Sequence, residues 1–125
     1  MGKWANDGMM DAALSYVATG VVITVCSAQP TNLTEATTTY SLAGTALTPG
    51  AGNGDFTLAN GDSSGRKLTI SQQVDVTVDT DGTATHIAIC SGSALLYVTT
   101  CVSQSVVTGN TVTLPAWDIE IADPS

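Results

Sequence analysis

Few residues in this chain have the type and spacing that chemistry requires. The segment GDSSGR at 61–66 has the composition of a loop that presents a nucleophilic serine. Such a serine needs a histidine base and an aspartate to orient that base. His86 is the single histidine and falls inside a strand pattern, and Ser64 stands where such a loop carries glycine. The segment therefore reads as a hairpin turn. Asp79-Thr80-Asp81-Gly82 is close to a loop that presents one of two catalytic carboxylates, but the extra Asp81 breaks the spacing. No carboxylate pair sharing a proton is indicated. His86 has no nucleophile or carboxylate that the sequence places within reach, so it reads as a satisfied sheet residue. Asp118 and Glu120 share a strand face, and Asp55 and Asp62 flank the first hairpin. Calcium is held by about six to eight oxygens, usually from one acidic loop, and no such loop is present. These carboxylates read as solvated or cross-subunit charges. Cys26, Cys90 and Cys101 are an odd number of thiols with no CxxC spacing, so they read as free, buried, weakly polar residues. No phosphate-cradling loop is present, and the sequon at Asn32 has no meaning without secretion. The pattern predicts a protein that is not an enzyme, with no catalytic residue, cofactor or metal.

The elements that carry these residues alternate between apolar runs and turn signals. Asn6 or Asp7 suits a helix N-cap, Asp11 the first turn and Gly20 the exit. Met10, Ala13, Leu14 and Val17 repeat at helical spacing, which predicts one short amphipathic helix at about 7–18, its entrance stapled by Trp4. A helix this short must dock, on its own sheet or on a neighbouring subunit. Val21 to Ser27 reads as a strand buried on both faces and ended by Pro30. Asn32 and Glu35 have capping-box spacing, which predicts a helical turn near 33–39 that Thr37 to Thr39 cut short. A glycine-rich loop is expected at about 44–54, the most mobile or contact-making excursion.

Next, FTLA and RKLTISQQ flank NGDSSG, a hairpin with a longer connection. VDVTVDT and TATHIAICS flank Asp81-Gly82, a hairpin signal because both residues tolerate positive φ. A turn on Gly92-Ser93 would set Ala88 opposite Tyr97 and His86 opposite Thr99, leaving Cys90 and Cys101 too far apart for a disulfide. In TVTL-PAWDIEIA, Trp117, Ile119 and Ile121 share one face, Asp118 and Glu120 the other, and Pro115 suits a strand start or edge. About seven or eight short strands in this rhythm predict an all-β fold: a jelly-roll-like β-sandwich with one N-terminal helix, in a single domain over 1–125.

The composition narrows the partners. Only 11% of residues are charged, against about 25% in an average soluble domain. A free monomer normally carries a well-charged surface, so much of this one is expected to be covered by other subunits. Three basic residues against eleven acidic ones give a net charge of −8. Lys3, Arg66 and Lys67 cannot form the basic stripe that phosphates require, which argues against nucleic acid and against anionic membranes. No apolar run is long enough to span a bilayer. Asn6, Asp7 and Asp11 interrupt what a secretory signal needs, so a cytoplasmic product, or a particle assembled in a cytoplasm, is expected.

Five blocks form a recognisable set: WANDGMMDAAL at 4–14, CSAQPTNLTEAT at 26–37, ANGDSSGRK at 59–67, GTATHIAICSGSALLYVTTC at 82–101 and PAWDIEIADP at 115–124. Together they resemble small structural proteins from the head-gene clusters of tailed bacteriophages, and among these the capsid decoration or cement proteins. The resemblance implies a jelly roll that sits as a dimer or trimer on the outer capsid surface of the virion, ties capsomers together by binding the major capsid protein, is made in the host cytoplasm and has no active site. It assigns no contact residues. From the residues themselves the candidates are the segment around Trp4, the loop residues Pro49, Gly50, Gly52 and Asn53, and Trp117, although both tryptophans could instead fill the core. Two alternatives remain: another phage part, such as a tail-tube, head-completion or fibre protein, or a carbohydrate-binding β-sandwich module.

Overall fold

The computed structural model describes residues 6–52, 54–62 and 64–121. Trp4 and Asn53 lie outside the described residues. The chain begins with helix α1 (Asp7–Val17), and nine strands follow: β1 (Val22–Cys26), β2 (Ser41–Ala46), β3 (Phe56–Asn60), β4 (Arg66–Ile70), β5 (Gln73–Thr77), β6 (Gly82–Cys90), β7 (Leu95–Val106), β8 (Thr111–Leu114) and β9 (Trp117–Ile121). All named strand pairs are antiparallel. The fold is all-β and sandwich-like with one short N-terminal helix.

One layer is a four-stranded sheet in the order β2-β1-β6-β7. The other is a three-stranded sheet, β3-β4-β9, beside a two-stranded ribbon, β5-β8. Period-2 alternation sends Ile23, Val25, Ile87 and Ile89 from the first layer into the same core as Phe56, Leu68, Ile70, Ile119 and Val76 from the second. Phe56 is the largest fully buried side chain, and burying such a ring stabilises the fold by roughly 1.5–3 kcal/mol. On its other face the four-stranded sheet buries Cys26, Ala88 and Cys90 beneath Ala36 of a π-helical turn at Glu35–Thr39. This double cover explains why VITVC shows no polar alternation.

The helical turn forms because Asn32 Oδ1 accepts from the Glu35 N–H at 2.8 Å, while Glu35 Oε1 accepts from the Thr31 N–H at 2.8 Å. The carboxylate therefore reaches one residue further back than in a capping box. Helix α1 is capped by Asn6, whose Oδ1 accepts from the Gly8 N–H at 2.7 Å. It buries Met10, Leu14 and Val17. Ala13 is exposed instead of completing the stripe. Asp11 lies beyond the first turn and pairs with Arg66 at 2.7 Å, tying the helix to β4.

Four other expectations are corrected. The strand count is nine, because Ser41–Ala46 is a full strand where the glycine-rich loop was expected to begin at 44. Asp81-Gly82 does not turn a hairpin: β5 pairs with β8, while β6 pairs with β1 and β7, so the chain crosses between layers there. Gly82 has no positive φ and lies close to Leu42, whose Cδ2 would be 2.8 Å from an added Cβ. RKLTISQQ is not one strand but breaks at Ser71, between β4 and β5. Finally, Ala88 pairs with Val98 and His86 with Thr100, one residue beyond expectation. The turn is where the sequence put it, with Ser91 N–H bonded to the Ala94 carbonyl at 2.9 Å. An irregularity between Ile89 and Cys90 accommodates Leu96 and shifts everything after it.

Gly20 likewise serves close approach: a Cβ there would sit 2.5 Å from Ile89 Cγ2, in the core. Overpacking of this kind costs about 1–3 kcal/mol. Gly20→Ala should therefore lower the unfolding free energy by about that amount in a denaturant melt, whereas Gly92→Ala, with open space around its Cβ, should change it by less than about 0.5 kcal/mol.

Candidate functional site

Ser63 lies outside the described residues, and most of the other residues singled out for chemistry are held in structural roles. In the 61–65 turn, Gly61 N–H bonds to the Gly65 carbonyl at 2.9 Å, and Gly65 takes a φ of 71°. Asp62 pairs with Lys67 at 2.8 Å, and its backbone N–H donates to Glu120 Oε1. Lys67 also meets Asp118 at 3.7 Å, and Thr69 Oγ1 donates to Asp118 at 2.7 Å. Asp118 and Glu120 are thus engaged within the chain. His86 Nδ1 lies 2.8 Å from Thr85 Oγ1, a bond whose donor depends on the tautomer. No group of three or more His, Cys, Asp or Glu residues that could hold a metal is found among the described residues.

Two carboxylates act as hubs that the sequence did not single out for this work. Asp55 accepts from the Thr48 N–H at 2.6 Å, the Ser71 hydroxyl at 2.7 Å and the Gln73 amide at 3.2 Å. It fixes both the glycine-rich loop and the corner where β4 gives way to β5. The Thr48 N–H bond is the chief reason its carboxyl lies below the ordinary value. Asp81 accepts from the N–H and hydroxyl of Thr108 at 2.6 and 2.7 Å, anchoring the β7–β8 turn. Those bonds likewise lower its pKa.

The candidate contact residues fall at separate places. Pro49, Gly50 and Gly52 lie on a loop that is fastened to the body: Gly50 N–H bonds to the Ala18 carbonyl and Gly52 N–H to the Phe56 carbonyl, both at 2.7 Å. Gly50 and Gly52 have φ of 106° and 88°, which accounts for glycine at both. Trp117 is half-buried at the start of β9, its ring centroid 5.9 Å from that of Tyr97. The row Ala51, Phe56, Ile70, Trp117 crosses the three-stranded sheet. At about 4.8 Å per strand spacing, the loop and Trp117 stand at opposite edges rather than in one patch.

Trp117 instead borders a groove of about 690 Å³ between β7 and the stretch from Val112 to Asp118. Its floor reaches the core at Val25 and Ile87, and its β7 wall includes Thr99, Cys101 and Val102. Trp117 Nε1 is buried there without an acceptor, a deficit that typically costs about 1–3 kcal/mol. Val102 is 91% exposed. This groove was not foreseen, because it forms where two layers that are distant in sequence fail to meet.

No protein-family model, curated protein or solved structure matches the chain.

Two measurements test the site's electrostatics. Asp55 and Asp81 titrate below their ordinary 3.8 when folded, so the unfolded chain takes up protons first as the pH drops. Their stabilisation is complete above that value and is lost as pH falls through the lowered folded pKa. Denaturant midpoints should drop between about pH 5 and pH 2, and Asp55→Asn should flatten that acid slope while lowering stability at neutral pH. Cys26 and Cys90 are fully buried, and burial pushes the Cys90 thiol up to about 11. Cys101 is half-buried, so a thiol reagent should label Cys101 first in the native protein, with Cys26 and Cys90 following only on unfolding.

Proposed function

We propose that this protein works by assembly: it decorates and cements the outer surface of a tailed-phage capsid by binding the major capsid protein. The observation that carries the reading is the surface. Charged residues make up only 11% of the chain, and Met9, Tyr16, Val74 and Val102 are each more than 60% exposed. Such a surface is poorly suited to a lone soluble monomer and well suited to being covered. The five sequence blocks supply the particular setting, and a net charge of −8 suits a face turned away from packaged DNA. The fastened loop at Pro49–Gly52 offers rigid backbone for a contact at little ordering cost. Trp117 and Tyr97 pack against each other instead of presenting a flat platform, which weakens the carbohydrate-binding alternative.

The test is titration of the purified protein onto expanded capsids stripped of accessory proteins, imaged by electron cryomicroscopy. Saturable density at symmetry-related positions on the outer lattice is expected. Density confined to one vertex or to tails would move the assignment to a connector or tail part, and no binding to an intact cognate shell would remove the capsid reading.

A further inference from the structure

The edges of the sheets are unequally protected. An open edge presents unpaired N–H and C=O groups to any other strand, and proteins blunt it by covering, charging, bulging or shortening it. The β2 edge is covered: Ala43 bridges to Val78, and the N–H groups of Asp79 and Thr80 both bond to the Leu42 carbonyl. At the β3 edge, Ala51 bridges to Phe56. Strand β9 has only five residues, two of them acidic. In the ribbon, β5 is broken by an irregularity at Asp75, whose φ is 56°, and β8 has four residues followed by Pro115. Strand β7 is irregular where it pairs with β6, at Leu96 and between Thr100 and Gln104, but its other side has no bridge to any described strand. It runs for twelve residues, LLYVTTCVSQSV, without a charge or a proline, and among the described strands it pairs only with β6.

We infer that β7 is a self-association edge, through which two copies of this chain pair antiparallel about a twofold axis and join their four-stranded sheets into one. Charge selects a second copy as the occupant. Two molecules of net charge −8 repel, so a self-complementary contact must fall on an uncharged surface, and β7 is the longest uncharged edge. A basic or acidic partner strand would find no charge on it to recognise. Pairing β7 with itself opposes β-branched and hydroxyl residues of Val98, Thr99, Thr100 and Val102, which favour strand pairing, and sets no like charges across the ladder. An added strand would lie over the mouth of the groove beside Trp117. The contact is isologous and closes at two, so it leaves no further β7 edge open. This inference is independent of the capsid reading, since it concerns the purified protein with no shell present.

Sedimentation velocity of the purified chain over roughly 1 to 200 µM should show a reversible dimer. The dimer should strengthen with added salt, because screening weakens the repulsion between two acidic molecules. Val102→Lys and Thr100→Lys, both at exposed positions, should each weaken dimerisation by at least about tenfold. Val74→Lys, also exposed but on β5, should not. Circular dichroism melts of each variant establish that it is folded, and two independent lysine positions guard against one failing to fold. A monomer across the range would overturn the inference and leave the edge to a strand from another protein. A closed trimer, or a dimer indifferent to both β7 lysines, would overturn it equally.

Discussion

The structure depends on the need to cover both faces of β1. Ile23 and Val25 point one way and Thr24 and Cys26 the other, and all four are buried. Each face requires its own lid. One lid is the second layer, centred on Phe56, Leu68 and Ile70, and the other is the π-helical turn that lowers Ala36 onto Cys26 and Cys90. Even the polar member of the strand is accommodated locally, with Thr24 Oγ1 at 3.6 Å from Cys26 Sγ. The chain has to change layers several times to build both covers, and Asp55, with its bonds to Thr48, Ser71 and Gln73, stabilises one of those crossings.

Local signals in the sequence were legible where the physics is local. The Asn6 cap, the helical stripe, the Asn32–Glu35 turn and the face alternation of Trp117, Ile119 and Ile121 each involve neighbours within a few residues. What failed was non-local. Asp81-Gly82 carries the local marks of a hairpin, but Gly82 opens β6 beside Leu42 and Asp81 is committed to Thr108. The β6–β7 register was displaced by one residue because the extra residue Leu96 is set by packing and not by turn chemistry. The end of SLAGTA reads as the start of a loop because Gly44 looks like punctuation, although Gly44 sits in a strand against Ile23 and Thr24. The groove beside Trp117 had no sequence signal, since its walls come from β1, β6, β7 and the Val112–Asp118 stretch and meet only in the folded chain.

Many of the acidic side chains hold the fold together. Asp11, Asp55, Asp62, Asp81 and Asp118 are each bonded to a named residue of the same chain. The exposed apolar side chains have no such internal commitment. These acids serve to hold segments of the chain together, unlike charges that steer a partner from a distance.

The pairing of β1 also has a temporal consequence. Val22 pairs with Cys90, so the central strand waits for its main partner until the chain has been made that far. At about 5–20 residues per second, that is an interval of roughly 3–14 s during which VITVC has only β2 as a nearby mate. Arg66 waits similarly for Ile121. Contacts so distant along the chain slow folding relative to a helical protein of equal length. The short helix and the π-helical turn can form early, and they shield part of the nascent apolar surface while synthesis continues. The order in which the ribosome delivers these segments therefore sets how long the apolar face of β1 waits for its cover.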